Sequence, residues 1–297
     1  MHQTPKVDER YPGVAGLANR RPWIIHVSAY LLLLVIHLTF AAQMRYPTVF
    51  YDEIVYLGFA RYLAGVEHIV NLAGGGMGHF GYALFLMPAF WTASTFYYQY
   101  HLVLAINALL MSSVYLSLYF LLSRLTRLPR LACVAIAFIT GLYPSFILFT
   151  NFAVADNVFV PLYLLVLVAL YQLLETQTYW AATLLGLAGG MSYMAHTRGS
   201  SVLLAAATII IILAAGGRLP RRPALVSLAI LAVFYFATQR ELGAECSSQP
   251  PPAGPKTTRT AVRQAEPRRS PGQAFAPPVN GLPQDILASP PSHAQPA

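Results

Sequence analysis

The chain has 297 residues, of which 56% are hydrophobic and only 10% charged, and its formal net charge is +8. Its mean hydropathy is +0.53. A soluble domain carries about 25% charged residues, so this chain cannot clothe itself in polar groups, and lipid must solvate part of it. The positive charge does not indicate nucleic acid, because Lys and Arg sit beside apolar runs and in the tail, as a topology signal does. Two cysteines, Cys133 in an apolar run and Cys246 in a Pro-rich tail, provide neither a disulfide framework nor a metal-ligand spacing.

Residues 1–22 read as a cytoplasmic N-terminal segment that ends in Arg20 and Arg21. The run 23–43 follows with no formal charge inside it. A spanning helix needs about 20 mostly apolar residues, since every backbone amide must be satisfied within the hydrocarbon. This run is longer than a signal-peptide core and is expected to be a retained anchor. A first outer loop, 44–79, comes next. Further spanning candidates are 102–122, 131–150, 158–174, 179–195, 201–215 and 224–238.

Two basic clusters punctuate these runs: Arg124, Arg127 and Arg130, then Arg218, Arg221 and Arg222. Both belong on the cytoplasmic side by the positive-inside rule. An even number of runs separates them, so the two assignments agree. The segment 80–98 is apolar enough to span, but a crossing there would put the Arg124 cluster outside. Trp91, Tyr97, Tyr98 and Tyr100 are residue types that settle at headgroup level, which favours an interfacial position for it.

After Glu245 the apolar periodicity ends, and 12 of the chain's 22 prolines fall between Pro250 and Pro296. The segment 241–297 is expected to be disordered, since it lacks the apolar content to offset chain entropy. It resembles the product of a frameshifted or truncated reading frame. The expected architecture is all-α: a polytopic transmembrane helix bundle of about seven to eight membrane helices, occupying 23–240, with an amphipathic helix on the outer face.

The acidic residues of the membrane region are Asp52, Glu53, Glu67, Asp156 and Glu175. Glu175 follows an inner helix end, and the topology puts the others outside. Ionisable groups beside hydrocarbon are costly, so the Asp52–Glu53 pair raises a functional hypothesis. Val55, Phe59, Tyr62 and Leu63 recur at helical spacing and Gly65 supplies a stop, so the pair opens a short amphipathic surface helix. Asp52 fits two roles that can coexist, capping that helix or acting chemically. Asp156 and Asn157 introduce the run from Val158, where capping is again the plain role. Arg198, after His196 and Thr197, lies where positive-inside logic puts no spare cation. It either snorkels to lipid phosphate or holds an anionic ligand. The stretch Gly74, Gly75, Gly76, Met77, Gly78 and His79 lacks the Lys and Ser/Thr of a phosphate loop. His26 and His37 read as helix-packing or interfacial residues.

A basic-flanked span followed by an outer loop that opens with an Asp-Glu pair resembles the GT-C superfamily of membrane glycosyltransferases. The protein O-mannosyltransferase and aminoarabinose-transferase branch is the nearest in pattern. Tyr51 to Tyr56, continuing through Tyr62-Leu63-Ala64-Gly65, resembles that family's first-loop motif. Gly81 to Pro88 resembles the aromatic segment after it. Leu142-Tyr143-Pro144 with Asp156 to Phe159 resembles a later acidic element, and Thr197-Arg198 a recurrent Thr-Arg element. The likeness covers roughly residues 20–240, and its specificity lies in the order of motifs that are individually weak.

The resemblance implies transfer of a sugar from a polyprenyl-phosphate donor to an acceptor hydroxyl or amine outside the cytoplasm, by a multi-pass protein of the cell membrane. Asp52 matches the acid that deprotonates the acceptor, with Glu53 its positioning neighbour; both are candidate catalytic residues. Arg198, helped by His196, would bind the lipid phosphate, and Asp156 would shape the site. The implied partners are membrane lipid, the lipid-linked sugar and an acceptor. Some distant members use a divalent metal, for which this sequence offers no complete ligand set. Family enzymes are usually longer, with further spans and often an outer C-terminal domain, so the resemblance also implies an incomplete member and leaves open whether it is active. Two other readings stand beside it. A solute transporter would carry polar groups deep in its spans, often with repeated topology. A non-catalytic membrane scaffold or fragment would suit the abnormal tail.

Overall fold

The computed structural model describes residues 22–47, 51–66, 80–92 and 95–248. The readings for the N-terminal segment before residue 22, for Glu67 and the glycine-rich loop, and for the tail beyond 248 lie outside the described residues. Within them all regular structure is helical: α1 (Pro22–Ala41), α2 (Tyr51–Leu63), α3 (Gly81–Thr92), α4 (Phe96–Leu125), α5 (Arg130–Gly141), α6 (Pro144–Thr150), α7 (Asp156–Thr176), α8 (Tyr179–Ala195), α9 (Gly199–Ala215) and α10 (Arg221–Ser248).

Stretches Trp23–Ala41, Phe96–Leu125, Asp156–Thr176 and Arg221–Gln239 are long and apolar enough to cross a membrane. The pair α5 and α6, bent by 51° at its break, makes a fifth if it is counted as one span. The chain is a membrane-embedded helical protein. Its surface fits that solvent: Leu31, Leu32, Val35, Leu204, Ile211, Ile212, Val233 and Phe236 all point outward, where lipid tails are as apolar as the side chains themselves. The helix α9 is apolar but has 17 residues, at the lower limit of about 17–25 for a span. With 12 residues, α3 is only about 18 Å long and cannot cross roughly 30 Å of hydrocarbon.

The bundle is organised around α8, which packs against α3, α7, α9 and α10. Its sequence is rich in Ala and Gly, and the small side chains let neighbouring backbones come close, as in other membrane helix pairs. A Cβ on Gly186 would lie 2.7 Å from Ile230 Cβ, and one on Gly190 would collide with the Phe234 ring. Ser227 donates to the Ala182 carbonyl across the same seam (2.9 Å). At one end, the turn between α7 and α8 is closed by Gln177 in a left-handed conformation, followed by the N-cap Thr178, whose hydroxyl accepts from the Ala181 amide. Gln177 then reaches the α9–α10 turn by donating to the Arg218 carbonyl (3.2 Å).

Two histidines attach α1. His26 Nδ1 lies 3.0 Å from the Tyr115 hydroxyl on α4. Farther along, His37 Nε2 donates to the Gly141 carbonyl (3.2 Å), and its Nδ1 meets the Thr150 hydroxyl (2.8 Å). His37 therefore spans the break between α5 and α6, where a helix end leaves carbonyls without intrahelical partners. Both histidines pack helices.

Three boundaries differ from the sequence reading. Helix α4 begins at Phe96 rather than near 102, because Tyr97 to His101 continue the helix beyond its apolar core. The run 131–150 is two helices, broken by Leu142-Tyr143 ahead of Pro144, which disfavours helix in the residue before it. Helix α10 continues to Ser248, past the 240 boundary. Replacing Gly190 with Leu should drive α8 from α10 and lower the unfolding midpoint in detergent, read by tryptophan fluorescence, as overpacking costs about 1–3 kcal/mol. An unchanged midpoint would contradict this close approach.

Candidate functional site

Adjacent residues of α2 point opposite ways, and this sorts the two acids. Asp52 is exposed and Glu53 is 0% exposed. Both stand in the first helical turn, where a carboxylate complements the positive end of the helix dipole. The face carrying Leu57 and Ala60 turns with Glu53 into a core shared with α3 and α4.

Burial of a carboxylate is tolerated only with strong partners. Glu53 Oε1 accepts from the Tyr100 hydroxyl on α4 (2.8 Å) and from the Ala153 amide (3.0 Å). The Tyr100 oxygen is also 3.3 Å from the Asn151 carbonyl. A hydroxyl has one proton, and the shorter, charge-assisted bond to Glu53 is the one that holds it. Glu53 thus ties the start of α2 to α4 and to the turn 151–155 between α6 and α7.

Two buried asparagines build that turn. Asn107, in the middle of α4, donates to the Phe152 carbonyl (2.9 Å) and accepts from the Tyr82 hydroxyl of α3 (2.7 Å). Asn157 donates to the carbonyls of Phe149 (2.9 Å) and Phe152 (2.7 Å). These carbonyls lie at and just past the C-terminal end of α6, where the helix cannot satisfy them. The turn is therefore held from both sides, and its last residue leads directly into Asp156.

Asp156 Oδ1 lies 3.5 Å from Arg198 Nη1, with the Arg198 side chain 71% exposed and the Asp156 side chain 26% exposed. Exposed pairs of this kind contribute about 0–1 kcal/mol, so the pair holds a charge in place more than it stabilises the fold. Arg198 stands ahead of α9, whose start crosses the last turn of α8 so closely that a Cβ on Gly199 would collide with the Ser192 carbonyl. His196 Nδ1 accepts from the Arg198 amide (3.0 Å), and its ring lies 5.2 Å from the Phe159 ring. That bond leaves the proton of a neutral His196 on Nε2.

The remaining member is Tyr56, one helical turn after Asp52. Its ring meets the buried Tyr82 edge to face, with centroids 5.2 Å apart. Burial pushes its hydroxyl up to about 12, and the negative charges of Asp52 and Asp156 add to the rise. At neutral pH this phenol keeps its proton and does not act as a base.

The structure therefore gathers Asp52, Asp156, His196 and Arg198 at one end of the helices, and puts Glu53 behind them as an anchor. The basic turns at Arg124 to Arg130 and Arg218 to Arg222 lie at the opposite ends of the same helices. Sequence reading missed Tyr56, Asn107 and Tyr82 as members. It also put Tyr100 at headgroup level with Trp91, Tyr97 and Tyr98; those three are exposed, but Tyr100 is buried on Glu53. A polar Asn inside an apolar span was the available signal for Asn107, since such a residue needs a partner. Among the described residues, no three His, Cys, Asp or Glu side chains come together as a metal site. Comparison with known proteins matched no family model, no curated protein and no solved structure.

Glu53→Ala should destabilise the bundle by about 1–3 kcal/mol, because it leaves the Ala153 amide unpaired and the Tyr100 hydroxyl with only its longer bond to the Asn151 carbonyl. Asp52→Ala should cost under about 1 kcal/mol. Unfolding of the two variants in one detergent compares them, and equal losses would remove the anchor role from Glu53.

Proposed function

We propose that this chain forms the catalytic bundle of a membrane glycosyltransferase that takes a sugar from a polyprenyl-phosphate donor and passes it to an acceptor hydroxyl or amine. The observation that carries the reading is the ion pair of the exposed cation Arg198 with Asp156 (3.5 Å), at the end of an apolar bundle where Glu53, next to the exposed carboxylate Asp52, is bonded to the Ala153 amide. Transfer of this kind needs both an exposed carboxylate and a cation. Asp52 takes the acceptor proton as the new bond to the anomeric carbon forms. The bond from that carbon to the phosphate oxygen breaks, its electron pair leaves with the lipid phosphate, and Arg198 offsets the charge that develops there. Asp156 holds Arg198 in place, and His196 shapes the backbone that presents it.

A lipid-bound donor accounts for a catalyst whose polar site sits at the end of lipid-facing helices. In the same reading the chain crosses the cell membrane seven times, through α1, α4, α5 with α6, α7, α8, α9 and α10. Helices α2 and α3 stay at the outer surface, and the N-terminus and both basic turns are cytoplasmic. This arrangement places segment 80–98 outside without breaking the parity of the arginine clusters. The transporter reading has less support, because the ionisable groups gather at the helix ends rather than deep within the bundle.

The test is a transfer assay with radiolabelled polyprenyl-phosphate sugars in proteoliposomes containing the purified chain. Wild type should form product. Asp52→Asn should reduce transfer at least about a hundredfold, within the usual reach of a general base, while still inserting and folding. Arg198→Ala should weaken use of the lipid donor more than use of the acceptor. A wild-type chain inert toward every donor sugar tried, or an Asp52→Asn variant with full activity, would overturn the assignment.

A further inference from the structure

His37 is buried, titratable and unused by the chemistry proposed above. It stands one turn after Leu33 on α1, which packs on α4, α5 and α6. The approach to α5 is close because Gly141 ends that helix: a Cβ there would lie 2.9 Å from Leu33 Cδ1. One imidazole thereby reaches both sides of the break between α5 and α6. Its Nε2 meets the Gly141 carbonyl (3.2 Å) and its Nδ1 the buried Thr150 hydroxyl (2.8 Å).

Counting protons fixes the state of this contact. A carbonyl only accepts, so Nε2 carries a proton. A second proton, on Nδ1, would make the ring a buried cation. Helices α1, α4, α5 and α6 carry no Asp or Glu to offset it, and Glu53 on α2 is bonded to Tyr100 and Ala153 instead. Nδ1 is therefore bare and takes the Thr150 proton. The Thr150 oxygen also lies 2.8 Å from the Phe146 carbonyl, but that carbonyl stands four residues back in α6, where the helical pattern supplies the Thr150 amide. The hydroxyl is thus committed to α1. Thr150 is the last residue of α6, and the chain just after it is held by other elements. Asn107 and Asn157 donate to the Phe152 carbonyl, and Glu53 accepts from the Ala153 amide.

We propose that His37 is a positioning residue of the candidate site: as a neutral ring with its proton on Nε2, it clasps the break between α5 and α6 and, through the Thr150 hydroxyl, sets the turn 151–155 that leads into Asp156. The bond to Gly141 fixes the break, and the bond to Thr150 carries the position of α1 to the turn. The bearing on sugar transfer rests on the glycosyl-transfer reading, but the clasp does not.

Histidine isotope-labelled at its ring nitrogens reports by NMR which of them holds a proton. In the full chain in detergent micelles at pH 7, the His37 signals are assigned by their loss in His37→Gln. They should show a protonated Nε2 and a bare Nδ1, and the Nδ1 signal should move in Thr150→Val. A doubly protonated ring, a proton on Nδ1, or an Nδ1 signal indifferent to Thr150→Val would overturn the clasp. Hydrogen exchange tests the positioning. Gln can reach Gly141 but leaves Thr150 without its acceptor, whereas Asn can still accept from Thr150. His37→Gln and Thr150→Val should each speed exchange of the Ala153 amide about tenfold, the double variant no further, and His37→Asn should stay near wild type. Unchanged exchange in His37→Gln, additive acceleration in the double variant, or equal acceleration in His37→Asn would contradict transmission through Thr150. In the transfer assay, His37→Gln should raise the KM for the lipid donor about tenfold while the acceptor KM holds, and His37→Asn should restore it. An unchanged donor KM would contradict the role at the site. If the NMR and exchange results appear while the wild-type chain transfers no sugar, the clasp stands and the glycosyl-transfer reading fails.

Discussion

One buried carboxylate organises this molecule's polar end. Glu53 has no solvent to stabilise it, so it must be surrounded by donors, and the donors come from two elements far from it in sequence. A surface helix that would otherwise rest loosely on the bundle is thereby fixed to α4 and to the turn before α7. The exposed face at the start of α2 takes its position from this constraint. Asp52 points outward because Glu53, its neighbour, points inward. Tyr56 follows one turn farther along the same helix, its ring packed on Tyr82.

The rest of the bundle is built on a different principle. Lipid tails provide no hydrophobic drive between helices, so close backbone approach and a few hydrogen bonds must hold them together. The glycine and alanine face of α8 gives that approach to α10, and the start of α9 crosses its last turn at Gly199. His26 and His37 hold α1 by hydrogen bonds to α4 and to the break between α5 and α6. The exposed cation of the site depends on this packing, because Arg198 stands in the short link between α8 and α9. The site is therefore the joint product of a buried acid at one edge and small residues at the centre.

Much of this was legible in the sequence. Hydrophobic runs gave the helical membrane character, because backbone satisfaction in hydrocarbon leaves few other structures available. The scarcity of acids made Asp52, Glu53 and Asp156 stand out, and Arg198 was noticeable as a cation at the wrong end for topology. The sequence did not reveal which acid of the adjacent pair would be buried: the apolar face read from Val55, Phe59, Tyr62 and Leu63 puts Asp52 on the inner side, whereas Tyr62 is exposed and Leu57 and Ala60 are buried with Glu53. Nor did it reveal the partners: Tyr100 reads as an interfacial aromatic until Glu53 is seen against it, and Asn107 joins the turn at Phe152 across 45 residues of sequence. Helix ends were also hard to place where a Pro breaks a run, as at Pro144, or where Tyr and His prolong a helix beyond its apolar core.

The functional account depends on where the polar end faces. In a chain with Cys133 and Cys246 replaced by Ala, single cysteines at position 52 and at position 126 can be probed on intact cells with a membrane-impermeant maleimide. The account predicts that position 52 is labelled from outside and that position 126, in a basic turn, is labelled only after the membrane is opened. Labelling of position 126 on intact cells while position 52 stays silent would contradict it, since the acid would then lie in the wrong compartment for an outward-facing sugar.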